Sequence, residues 1–372
     1  MRAAVMLSAL IAEVALQAQT PPDIMILNDG EKLIGHLVSS TGTSVTFKSD
    51  LAGEIKMDWS KIKELHSSAK FAVAEKGVVF RRHDDLTKVP QGTVSMSDQK
   101  IEVSPANGTT PQSIPVANTQ NLVPEESFLR AFQRPKWSDY WHGSAGLGVA
   151  LVAATQDSRT ITSSVSLVRT VPNETWIDPR YRTTIDFNSA YGSLSEPGQP
   201  TVKTDILHAD AEQDEYLSSR LFGFGQLAFD HSISQGLDLQ QTYGGGLGYT
   251  VLKAALQELD LKGQIAYVSQ MFTQPLPPQA PVANKHLIAA VITETYNRTF
   301  KREVTLHEQL SVTPAFNEAK AYSAIGTVDL SIPVFKKLAF TIGTVDAYLN
   351  DPPLGFKKNS FQFVTNLSYT IN

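Results

Sequence analysis

From Trp141 to Asn372 the chain is written as a succession of segments of about 10 to 14 residues in which apolar and polar side chains alternate, with turn residues between them. In the closing segment Phe361, Phe363, Leu367, Tyr369 and Ile371 share one parity, while Ser360, Gln362, Asn366, Ser368 and Thr370 share the other. The same sorting recurs over Leu237 to Val251, Leu259 to Tyr267 and Tyr322 to Ile332. Soluble sandwiches also alternate, so the period alone does not decide the fold. Length does: strands of globular sheets run mostly to about 5 or 6 residues, whereas a tilted path across a bilayer takes about 9 to 11.

About twelve segments meet the longer requirement. They lie near 141 to 153, 159 to 170, 180 to 191, 201 to 211, 219 to 232, 237 to 252, 258 to 270, 286 to 299, 301 to 313, 320 to 332, 336 to 349 and 357 to 371. The fourth is the weakest, because Asp205, Asp210 and Glu212 crowd it. An even count returns the last strand beside the first, which closes the sheet and leaves both of its ends on one side. The fold class is therefore all-β: a transmembrane antiparallel up-and-down barrel with a smaller β module before it. Hydrocarbon disfavours charge on the outer face, so Arg182, Asp186, Arg220, Asp230, Asp238, Asp260, Lys262 and Asp329 are expected to line the lumen. Glu294 and Glu308 break the parity of their strands and call for a local register shift or bulge. Aromatic residues near strand ends, among them Trp141, Tyr181, Phe335 and Phe356, suit interfacial girdles.

The amino-terminal part reads differently. Arg2, an apolar stretch from Ala3 to Ala12 and small residues at Ala15 and Ala18 have the layout of a secretory signal peptide over 1–18. Residues 23–124 alternate in short segments, and Asn28-Asp29-Gly30 marks a hairpin turn. A related pattern returns about 57 residues later, from Gly92-Thr93-Val94-Ser95-Met96 to Leu122-Val123, which suggests a duplicated strand motif whose copies pack together. Asn107 to Gln120 reads as a flexible excursion, residues 125–136 as a linker with a short helical tendency, and residues 137–372 as the barrel domain.

Composition removes several functions. Lys and Arg number 32 against 37 Asp and Glu, well mixed, so no basic stripe exists to engage a nucleic acid. The absence of cysteine removes thiolate metal sites and cysteine nucleophiles. Gly244-Gly245-Gly246-Leu247-Gly248 lacks the following helix that a phosphate-cradling loop needs. His307-Glu308 begins a zincin-like pair, but Ser311 stands where the second ligand belongs. Catalytic, cofactor and metal residues are thus assigned to none. His142 and Ser144 share a strand face and keep open a barrel-embedded lipid hydrolase.

The carboxy-terminal two thirds resembles the salt-induced outer-membrane protein family of Gram-negative bacteria. The matching stretches are Trp141-His142-Gly143-Ser144, Asp214 to Phe222, Gly244 to Tyr249, Asp346 to Pro353 and Lys357-Lys358-Asn359. The resemblance implies an outer-membrane barrel of unknown biochemical function with a salt or osmotic connection. The module would then lie in the periplasm. The partners expected are outer-membrane lipid, the barrel-assembly machinery and small solutes. A passive channel or a structural envelope protein is the function expected, with the lipid hydrolase and a soluble periplasmic binding protein as alternatives.

Overall fold

The computed structural model describes residues 21–371, apart from 79–82, 107, 109, 154–156, 175, 196–197, 199–200 and 275–280. The leader expected over 1–18 lies outside the described residues. The chain divides into two compact units, Met1–Gln133 and Arg134–Asn372.

The first unit contains nine strands: β1 (Asp23–Leu27), β2 (Lys32–Thr41), β3 (Ser44–Ser49), β4 (Gly53–Asp58), β5 (Ile62–Glu75), β6 (Gln91–Ser97), β7 (Lys100–Ser104), β8 (Gln112–Pro115) and β9 (Thr119–Pro124). They follow the order β4-β3-β2-β1-β5-β6-β7-β8, and β9 pairs with both β2 and β5. Strands β2, β1, β5 and β9 thereby close a four-strand ring. Its core holds Met25, Phe47, Ile62, Leu65, Phe71 and Leu122, all nearly inaccessible. Burial stabilises by about 1.5 to 3 kcal/mol for a side chain of this size. The buried Asp23 carboxylate is satisfied by the amides of Leu37 at 2.7 Å and Ser68 at 3.2 Å, which pins β1 to its neighbours.

The two halves of this unit repeat one another. A Cβ on Gly35 would run into the Lys48 carbonyl, and a Cβ on Gly92, 57 positions later, would run into that of Ser104. Single 3-10 turns at Trp59–Lys61 and Val116–Asn118 follow the fourth strand of each half. The second turn and β8 occupy the segment expected as a flexible excursion, and Ile114 and Val116 bury its apolar positions. Likewise the expected linker contains helix α1 (Glu125–Phe132), which buries Phe128, Ala131 and Phe132 within this unit.

The second unit is a ring of twelve strands: β10 (Trp141–Ala153), β11 (Asp157–Val171), β12 (Tyr181–Ser195), β13 (Val202–Tyr216), β14 (Leu221–Ser232), β15 (Leu237–Ala254), β16 (Gln257–Phe272), β17 (Lys285–Thr299), β18 (Thr305–Pro314), β19 (Tyr322–Phe335), β20 (Leu338–Leu349) and β21 (Asn359–Ile371). Each pairs antiparallel with the next, and β21 returns to β10 to close the barrel. The ends of β10 and β21 that carry Trp141 and Ile371 share one rim, called here the terminal rim; the opposite rim is distal.

Parity sorts the side chains as the alternation requires. Phe361, Phe363, Leu367 and Tyr369 stand exposed on the outer surface with Leu247, Tyr249, Leu261 and Ile265, while Gln362, Asn366 and Ser368 face the interior. The weak strand β13 is explained in the same terms. Its even positions His208, Asp210, Glu212 and Asp214 point inward, where they find partners, and the outer face keeps Leu207, Ala209 and Ala211. Glu294 and Glu308 need no bulge: pairing from β16 to β19 runs without interruption there, so both carboxylates remain on the outer face among Leu261, Leu310, Tyr296 and Val328. Phe356 leaves the expected girdle and packs at the distal mouth against Gly236.

Candidate functional site

The interior of the barrel is built in three tiers, and the first is an ionic cluster toward the terminal rim. Arg182 on β12 donates from Nε to Asp214 on β13 at 2.7 Å, and from its two terminal nitrogens to Glu258 at 2.9 Å and Asp260 at 2.8 Å, both on β16. Lys262 on β16 donates to Glu212 on β13 at 2.7 Å. The bonds from Arg182 to Glu258 and Asp260 and from Lys262 to Glu212 span β14 and β15, so they run as chords inside the ring, whereas Arg182 and Asp214 are neighbours along its wall. Charge-assisted bonds of this kind are the strong members of their class. The aromatic faces beneath them belong to β14: the Arg182 guanidinium lies 5.3 Å from the Phe222 ring and Lys262 Nζ lies 5.6 Å from that of Phe224.

The glycine run of β15 makes this tier possible. A Cβ on Gly248 would overlap the Phe222 ring, and one on Gly244 would overlap Gln264. Bare inward positions at Gly244, Gly246 and Gly248 therefore leave space for the aromatic and amide side chains that carry the charges. On the far wall β10 uses the same device. Gly146 and Gly148 present no side chain, and Asn366 on β21 reaches over them to accept a hydrogen bond from Thr162 on β11 at 2.5 Å.

The middle tier is a cavity of about 280 Å³. Hydroxyl and amide side chains from every strand of the ring but β13 line it, including Ser144, Ser166, Gln226, Gln309, Gln362 and Asn366, and β13 contributes His208. On one wall His208 lies between two carboxylates, with Nδ1 2.6 Å from Asp230 and Nε2 3.1 Å from Asp210, and Gln240 donates to the second oxygen of Asp230 at 3.1 Å. The lining is not uniformly polar. Ala266, Val268, Leu287, Ala289 and Val291 make an apolar inward patch that Ala321 covers.

The third tier closes the distal mouth. The turn between β14 and β15, a single 3-10 turn at Ile233–Gln235 ended by Gly236 at φ +64, leaves its own wall and meets the opposite one. The Gln235 side-chain amide donates to the carbonyl oxygens of Ala347 and Lys358, each at 3.1 Å, and Ser234 donates to Ser360 at 3.1 Å. Four strands separate the β14–β15 hairpin from the β20–β21 hairpin in either direction, so these bonds cross the lumen. Leu237, Phe272 and Leu349, with Val282 against them, form a small apolar cluster beside the turn.

Of the eight residues expected in the lumen, Asp186, Asp230 and Asp329 line the cavity, and Arg182, Asp260 and Lys262 belong to the ionic cluster. Arg220 and Asp238 are corrections. Arg220 sits in the β13–β14 turn at the terminal rim and donates to the Val251 carbonyl at 3.0 Å. Asp238 is exposed, because a bulge between Leu237 and Leu239 reverses the parity that would have turned it inward. Sequence reasoning missed Asp210, Glu212, Asp214, Glu258, Gln235 and His208. The run His208, Asp210, Glu212, Asp214 on one parity was the available signal.

Residues 145–371 match the family described as protein of unknown function, DUF481. The chain belongs to the DUF481 family. No curated protein matches the DUF481 chain in sequence. Among solved structures it is similar to the NanC porin, with 8% identity over 62% of this chain and 96% of that one and a TM-score of 0.34. It is similar also to the translocator domain of the autotransporter NalP from Neisseria meningitidis, with 9% identity over 62% and 87% and a TM-score of 0.32. The β domain of the Bordetella autotransporter BrkA gives 8% identity over 62% and 97%, with a TM-score of 0.31.

Ser144 and His142 have different surroundings. Ser144 faces the cavity, whereas the His142 ring nitrogen lies 3.4 Å from the Tyr140 carbonyl.

Proposed function

We propose that this DUF481 barrel resides in the outer membrane, with its amino-terminal module in the periplasm, and passes small hydrophilic solutes through its polar lumen when the Ile233–Gly236 turn leaves the distal mouth. One observation carries this reading: the hydroxyl- and amide-lined cavity is shut at its mouth by a single short turn, which among the described residues is held to the facing wall by three side-chain hydrogen bonds and by the packing of Phe356 on Gly236 and of Leu237 on Leu349. Hydrogen bonds of this kind contribute about 0.5 to 1.5 kcal/mol each, a range that thermal motion and small ligands can overcome. A water-compatible interior behind a cap of one turn supports passage over a purely structural wall. Catalysis plays no part in this reading. The family resemblance adds an osmotic setting, in which the open fraction would respond to external salt.

The location is tested by membrane fractionation and by a gel run with and without boiling, since a closed barrel migrates differently before and after heating. The passage is tested by planar-bilayer recording of the purified protein and of Gln235→Ala. Brief openings in the first and long openings in the second are expected. Silence from both would end the channel reading and leave a purely structural barrel.

A further inference from the structure

Within the ionic cluster the formal charges do not cancel. Lys262 is matched by Glu212, but Arg182 alone faces Asp214, Glu258 and Asp260, which leaves an excess of two negative charges. Asp214 is 0% exposed and Asp260 4%. Each gives one oxygen to Arg182, and the second, Oδ1 in both, accepts no hydrogen bond from any of the described residues. Thr295 stands directly opposite Asp260 across β16 and β17, and its buried hydroxyl is also without a partner. Buried carboxylate oxygens left in this state are costly, and native structures as a rule satisfy them.

The geometry points to a binding site for a small monovalent inorganic cation in this tier, with Asp214 Oδ1, Asp260 Oδ1 and the Thr295 hydroxyl as its oxygen donors, and hence to a lumen selective for cations. The inference rests on the proposed passage only for its selectivity; the site itself stands without it. Oxygen donors suit hard cations. Arg182 nearby weakens the site for a doubly charged ion, and the site offers two carboxylate oxygens and one hydroxyl rather than a cage of carboxylates. A partly hydrated alkali cation fits both facts. Rings of carboxylates are the ordinary means of favouring cations in a pore, because walls of low dielectric strengthen the field across a narrow lumen.

The test uses the full chain folded in detergent, melted in KCl and in N-methyl-D-glucammonium chloride at equal ionic strength, so that general screening is matched. A ligand that binds only the folded state raises its melting temperature. The expected result is a rise of about 2 to 4 °C in KCl over the bulky cation, lost in Asp260→Asn and reduced in Thr295→Val, which keeps every Arg182 bond. Equal melting of the wild-type protein in the two salts would overturn the site. In bilayers, reversal potentials under a KCl gradient should favour K+ over Cl−, with the preference falling in Asp260→Asn. A Cl− preference would overturn the inference and leave the passage standing. No current from wild type or Gln235→Ala, together with a K+-dependent melt, would retain the site and discard the passage.

Discussion

Gln235 donates its side-chain amide to the carbonyl oxygen of Ala347, 112 positions away and on the opposite wall of the ring. Because the acceptor is backbone, no change at residue 347 removes it, and the sensitive partner is Gln235 itself. Gln235→Ala is expected to raise the open fraction in bilayer recordings by about tenfold, the factor that corresponds to some 1.4 kcal/mol for two lost hydrogen bonds. Ser234→Ala should act in the same direction and more weakly. An unchanged open fraction in both would show that the turn does not limit passage.

Arg182 is the one cation facing three carboxylates, so its removal leaves charge buried without compensation. Arg182→Met should destabilise the folded barrel by about 3 to 5 kcal/mol, more than the loss of any one of its partners. The temperature at which the unboiled gel band converts to the denatured one reports this, and a conversion unchanged from wild type would contradict the cluster.

The glycines of the fifth and sixth barrel strands are not equivalent. Gly248→Ala forces a methyl into the Phe222 ring and should cost about 1 to 3 kcal/mol, whereas a Cβ at Gly225 meets nothing and Gly225→Ala should be close to neutral. Comparing the two by the same gel conversion isolates the packing term.

Lipid should distinguish the two faces of the barrel wall, compared at Ile265 on β16 and Thr242 on β15. Ile265→Lys places a cation on the outer surface and is expected to cost about 2 to 4 kcal/mol in vesicle refolding if that position lies near the bilayer midplane, while Thr242→Lys on the inner face should cost less. Equal penalties would argue against a membrane-spanning orientation.

At the distal rim Lys285 donates to Asp351 at 2.5 Å and lies 3.4 Å from Glu318, which ties three connections together. The hydrogen bond from Lys285 holds the Asp351 carboxyl below the usual carboxylate range. A depressed value means that the stabilisation is complete above about pH 4 and is lost as pH falls through the folded value. The difference in gel-conversion temperature between wild type and Lys285→Gln should therefore be present at neutral pH and vanish in strong acid.

The two faces of the barrel were legible because parity is a local property: Phe361 and Phe363 declare their side without reference to any other strand. The cluster was not, since Arg182 and Asp260 are 78 positions apart and meet only when the ring closes. Parity also carried its own error. Counting through the bulge at Leu237 placed Asp238 on the wrong face, and counting into the turn gave Arg220 a wall it does not occupy. In β13 the acidic residues looked like a flaw in a strand until their partners on β12, β14 and β16 were known. The mouth was illegible for a different reason, as Ser234-Gln235-Gly236 reads like any hairpin turn and nothing local announces a bond to Lys358.

The closing pair, β10 and β21, shares register only from Gly143 to Leu147, whereas β10 and β11 stay aligned from Trp141 to Ala153. A stave so briefly fastened to its neighbour is where the cask would first spring open sideways, and Asn366, reaching across bare glycines to Thr162, is the stitch that holds the gap.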